Sequence, residues 1–161
     1  MATLVGALRA GVLVEYRLPD WETRPIVRPA YHAPDLMQWV DATPEMIDAR
    51  HALTGRLLVE HLDQLFCDFR CSDRPPAGDV RRMMPTGRGV LSAHAPGLRV
   101  YGFCASPGRF VGITAALERD TKNDRRLNAR KMGEVLAFVR QHDLENVILR
   151  GELYELFPAT A

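Results

Sequence analysis

Lysine is nearly missing from this chain: Lys122 and Lys131 are the only two among 21 basic residues, and the rest are arginine. Acids are missing from one stretch altogether. From Val80 to Leu117 there are Arg81, Arg82, Arg88, Arg99 and Arg109 and no Asp or Glu. Long apolar runs are also wanting. None approaches the ~20 residues of a membrane-spanning helix, and Arg9 interrupts the one N-terminal stretch long enough for the apolar part of a signal peptide. These absences lead us to expect a cytoplasmic protein with no membrane attachment. Three cysteines, Cys67, Cys71 and Cys104, are an odd number and do not make a disulfide framework. They read as reduced thiols.

Familiar catalytic signatures are absent too. There is no Gly-x-Ser-x-Gly elbow, and Gly87-Arg88-Gly89 lacks the lysine and the glycine spacing of a phosphate-binding loop. His61, Cys67, Cys71 and Cys104 are the only metal-ligand candidates. Structural zinc sites need close pairs of ligands in short loops, whereas Cys67 and Cys71 stand four apart on an expected helix. Cysteine is among the most buried residue types, so core packing is the better reading. No metal and no cofactor is expected. His51 and His94 each stand isolated in sequence.

What is present is an ordinary globular composition, 47% hydrophobic and 25% charged over 161 residues. That length suits one domain, residues 1–161, able to bury roughly 70% of its unfolded surface. The net charge of +1 hides an asymmetry. Residues 1–79 hold eight arginines against twelve acids, a balance of −4, and residues 80–161 hold thirteen Lys and Arg against eight acids, a balance of +5.

Val12–Leu18 alternates as a strand, and the prolines at 25, 29 and 34 make residues 20–34 an irregular loop. A short helix is expected over Ala33–Val40, then a long amphipathic one from Pro44 to Phe69, capped by Thr43. Ser72–Asp79 reads as a turn. Gly89–His94, Leu98–Cys104 and Arg109–Ala116 form a three-stranded meander, reversed at Pro96-Gly97 and Pro107-Gly108. A charged exit, Glu118–Arg126, and a helix from Leu127 follow, with residues 144–161 as a C-terminal extension. The fold class is therefore α+β, with an antiparallel sheet of the meander and the N-terminal strand packed on helices.

Alternation along Leu98–Cys104 puts Arg99, Tyr101 and Phe103 on one face and Leu98, Val100 and Cys104 on the other. A sheet face bearing a guanidinium and aromatic rings has the groups that single-stranded RNA uses, cations for phosphate and rings for bases. The same arginines can instead pair with the acidic N-terminal half or with an acidic partner.

The run GLRVYGFCASPGRFVGITAALERDTKND and the helix after it resemble the RelE/HigB/ParE-like toxin superfamily over about Val80 to Leu144. The loop at 20–34 and the tail after Asp143 have no counterpart in that pattern. The resemblance implies a RelE-like fold and a metal-independent endoribonuclease acting on mRNA or at the ribosome, neutralised by an antitoxin protein. Arg99, Arg119 and Lys122 then take the family's catalytic cation positions, with Tyr101, His94 or Tyr154 in reach as proton carriers. Arg81, Arg82, Arg88, Arg125 and Arg126 become RNA-binding residues. The alternative is a non-catalytic protein-binding or scaffolding domain whose basic sheet face meets an acidic partner or, in a homodimer, its own acidic N-terminal half, a reading motivated by the long apolar helix Pro44–Phe69. A third reading lets the loop at 20–34, with Trp21 and Tyr31, close over a small ligand.

Overall fold

The computed structural model describes residues 2–42, 58–71 and 80–158. Its described elements run α1 (Leu4–Arg9), β1 (Val14–Glu15), β2 (Tyr31–His32), α2 (Pro34–Asp41), α3 (Leu58–Cys71), β3 (Val80–Arg82), β4 (Leu91–Ala95), β5 (Leu98–Ser106), β6 (Arg109–Leu117), α4 (Glu118–Asn123), α5 (Leu127–Gln141) and α6 (Leu153–Leu156). The first part of the expected Pro44–Phe69 helix, His51 and the turn at 72–79 lie outside the described residues.

The strands form one six-stranded sheet in the order β1-β2-β6-β5-β4-β3. The fold class is α+β, and the sheet is mixed: β2 runs parallel to β6 while every other neighbouring pair is antiparallel. The meander is where its turns predict. At each reversal proline supplies a fixed φ and glycine a positive one, 72° at Gly97 and 75° at Gly108. The exit of β6 is tied back to the first reversal, because Glu118 N–H donates to the Gly97 carbonyl at 2.9 Å and the Glu118 carboxylate accepts from Gly97 N–H.

Helices cover both faces of the sheet. On the first, α2 and α3 bring Leu36, Val40, Leu62, Leu65, Phe66 and Phe69 against Leu91, Leu98, Val100, Cys104 and Phe110. Phe69 stacks on Phe110 with ring centres 4.5 Å apart. On the second, α5 lays Met132, Val135 and Val139 over Tyr101, Phe103, Val111 and Ile113. This corrects the expectation of an open sheet face beside Arg99: Tyr101 and Phe103 have no solvent exposure, so their rings are core and cannot stack bases. The apolar positions at steps of three and four along α5 had to be buried somewhere, and this face is what they bury.

Candidate functional site

Where α5 begins, the helix stops covering the second face and a cleft of about 370 Å³ remains. Strand register fills it. Arg81 of β3 lies opposite Ser92 of β4, and Ser92 opposite Tyr101 of β5. On the next rung His94 lies opposite Arg99. With side chains alternating, Arg81, Ser92, His94 and Arg99 all project to the α5 side of the sheet, where Arg125, Asn128 and Met132 meet them, and Met83 and Met84 close one wall.

Among the described residues no carboxylate lines this cleft, the spatial form of the acid-free run in the sequence. Among the described residues, Arg81, Arg99 and Arg125 make no ion pair, and the Nε of Arg99 is buried without a hydrogen-bond partner. A buried donor left unmatched costs about 1–3 kcal/mol. A second cavity of about 410 Å³ beside β1 offers the contrast. One of its two arginines, Arg70, is engaged at every nitrogen, donating to the backbone carbonyl of Tyr16, to that of Arg28 and to the Glu15 carboxylate. That guanidinium holds β1 onto α3, whereas among the described residues Arg81, Arg99 and Arg125 of the first cleft make no ion pair.

The expected site residues do not all meet here. Arg81, Arg99 and Arg125 converge, and Arg82 borders the cleft with its guanidinium given to Glu152. Arg119 and Lys122 stand on α4, off the cleft lining, beside Asp120 at 3.9 Å and Glu118 at 2.9 Å respectively. Arg88 and Arg126 are exposed and line no part of it. Tyr101 lies beneath the cleft: its phenol donates to Oδ1 of Asn128 at 2.6 Å, and burial pushes its pKa up to about 12, with Arg99 opposing. Tyr154, 74% exposed on α6, is not part of the lining.

Comparison with known proteins gives no relative. No family model, no curated protein and no solved structure matches this chain. The geometry of the cleft stands by itself.

Ser92 and Asn128 are the polar residues that sequence reasoning passed over. Ser92 had a readable signal, since it precedes His94 by two on a strand and so shares its face. Asn128 had none, being one polar residue in a charged helix start. The Oγ of Ser92 and Nε2 of His94 are 2.8 Å apart. Burial, helped by the charges of Arg99 and Arg81 and weakly opposed by Glu118, pushes the His94 imidazole down to about 4.

At neutral pH His94 is therefore uncharged, and stability is linked to that. The unfolded chain takes up the histidine proton near its ordinary pKa of about 6.5, while the folded one resists until about 4. The contribution of a neutral His94 is complete above about pH 6.5 and is lost as pH falls toward 4. Between about pH 7 and pH 4.5 the unfolding midpoint should drop further in the wild type than in a His94→Gln variant. Equal drops would remove His94 from the account.

Proposed function

We propose that the chain is a RelE-like toxin module, a metal-independent endoribonuclease that takes an RNA phosphate into the cleft at the start of α5. One observation carries the reading: the guanidinium groups of Arg81, Arg99 and Arg125 converge on a space that no carboxylate of the described residues lines, and Arg99 has a buried donor that no described group satisfies. Arginine presents its N–H donors in a fork that matches phosphate oxygens.

The chemistry this arrangement suits is attack of a ribose 2′-hydroxyl on the adjacent phosphorus. The O2′–P bond forms, the P–O5′ bond breaks, the leaving 5′ oxygen takes up a proton from water, and the products are a 2′,3′-cyclic phosphate and a 5′-hydroxyl end. Negative charge on the non-bridging oxygens grows along the way, and preorganised donors stabilise it where it grows. His94 is the group in the cleft that can accept the 2′-hydroxyl proton, being neutral and part of the lining. Tyr101 keeps its own proton on Asn128 and serves to position that residue. Arg88, Arg119, Lys122 and Arg126, exposed outside the cleft lining, add positive charge that attracts RNA at longer range.

Incubation of a labelled mRNA with the pure protein, with and without ribosomes, tests this. Cleavage leaving a cyclic phosphate end is the expected result. No cleavage in either condition, or full cleavage by an Arg99→Ala, Lys122→Ala double variant, would sink the reading. A non-catalytic protein-binding role has its own motive in Val14, Trp21, Ile26 and Val27, exposed apolar side chains on β1 and the loop that follows it. Steep loss of RNA affinity with added salt marks phosphate contact and separates the two.

A further inference from the structure

Beside Met83, Met84, Ala129 and Met132, the charged groups that line the cleft are all hydrogen-bond donors. Arg81, Arg99 and Arg125 can only donate. Asn128 is ambivalent by its chemistry, with an acceptor and an NH₂ group, but Tyr101 resolves it. A phenol that keeps its proton donates it, so Oδ1 of Asn128 faces Tyr101 and Nδ2 is left to the cleft. Tyr101 has no freedom to do otherwise, since it is fully buried between β5 and α5. Ser92 Oγ and His94 Nε2 face one another at 2.8 Å, so the acceptor that the proposed cleavage asks of His94 is its other ring nitrogen, Nδ1.

Neighbouring acids are turned elsewhere. The Glu118 carboxylate faces Lys122 and the Gly97 N–H, and that of Asp124 faces Arg130 and the Arg126 N–H. The helix start adds to the imbalance: α5 has no acid in its first turn, and its N-cap residue, Arg126, makes no capping hydrogen bond. Cations at the positive end of a helix are disfavoured. One anion answers all of this at once. It pairs with the guanidinium groups, meets the buried Nε of Arg99 and faces the helix end.

We propose that the cleft is built for a phosphate dianion, the terminal phosphomonoester of an RNA end, in preference to an internal diester; the RNA part of this rests on the function proposed above. A diester carries one charge and two free oxygens. A monoester carries close to two charges and presents three acceptor oxygens. Among three guanidinium groups and an amide held as a donor, the additional charge and oxygen are matched without any change in the protein. The same donors suit the cleavage transition state, whose phosphorane also carries more charge than the diester. Phosphate-ended RNA is accordingly a competitive inhibitor of cleavage.

The test compares one short RNA bearing a 3′-phosphate, a 5′-phosphate or only hydroxyl ends, by titration at constant salt, with inorganic phosphate titrated separately. Phosphate-ended RNA should bind the wild type at least about tenfold more tightly than hydroxyl-ended RNA, as one added charge-assisted hydrogen bond implies. Inorganic phosphate should bind alone and displace it. Tyr101→Phe, which removes one hydroxyl, should shrink the preference, and Asn128→Asp, on the helix surface, should abolish it. Equal affinity for all three ends, or a preference that both variants keep, would overturn the proposal. Phosphate binding with no RNA cleavage would leave this site standing and remove the nuclease; cleavage with no preference among the ends would do the reverse.

Discussion

Arg99→Ala should lower RNA cleavage by about 10² to 10³-fold, the usual cost of deleting one preorganised donor at a developing oxyanion, and should leave the fold as stable as before or slightly more so. The two halves of this result come from one fact. The Arg99 guanidinium forms no ion pair within the described protein and leaves its Nε without a hydrogen bond, while it shares a small cleft with three more arginines, of which Arg82 alone is paired, with Glu152. Its removal deletes a cost to the folded state together with the ligand's central contact. Functional sites commonly show this opposition between stability and activity.

A single-turnover assay alongside a denaturant titration reads both quantities. Loss of activity with unchanged stability is the expected pair. Loss of both would mean that Arg99 holds the structure together after all. Arg99→Lys should recover only part of the rate, because an ammonium group lacks the planar fork. The His94 imidazole should also titrate at a higher pH in the alanine variant, since the Arg99 charge is the largest influence after burial that keeps it low.

The second large effect concerns stability. Gly102 of β5 lies opposite Gly112 of β6, next to a register shift between the two strands. A methyl group on Gly102 would stand 1.8 Å from the Val111 carbonyl oxygen, which is backbone and cannot swing away. Gly102→Ala should therefore cost about 3 kcal/mol or more, the upper range for overpacking, a large share of the roughly 5–15 kcal/mol that holds a domain folded.

Gly112→Ala should cost less. Its methyl would meet side-chain atoms of Leu36, Phe66 and Val100 at 3.0 Å, and those can give slightly. Gly133→Ala should do the opposite. That position is exposed in α5 with nothing within 4 Å, so the change should stabilise by about 1 kcal/mol. Urea denaturation of the three variants checks the order. A Gly102→Ala protein as stable as the wild type would contradict the close strand approach.

The meander was legible because each signal was local: alternation along Leu98–Cys104 and a Pro-Gly pair at each reversal. The strands β2 and β3 were not, for a matching reason. Two residues, Tyr31-His32, and three, Val80–Arg82, are too short to alternate visibly, and their partners lie far off in the chain or are held by backbone alone. The site was half legible. The missing acids between Val80 and Leu117 named the sheet arginines, but only the path of α5 decides that Tyr101 and Phe103 are covered while Arg99 is not. Asn128 gains its meaning from a hydrogen bond across 27 residues, which no spacing rule anticipates.

The parallel pairing of β2 with β6 has a consequence for solubility. Tyr31 and His32 join Val111 and Gly112, and Ala33 N–H donates to the Gly112 carbonyl. Phe110–Ala116, FVGITAA, is a window with neither charge nor proline, the composition that stacks into intermolecular sheets when its edge is bare. Antiparallel pairing to β5 satisfies one side of it, and a two-residue strand from near the N-terminus occupies the other. The loop at 20–34 thus delivers a guard for the edge the meander would otherwise expose. A chain shortened from that end would offer a ready template for self-association, with its secondary structure still in place.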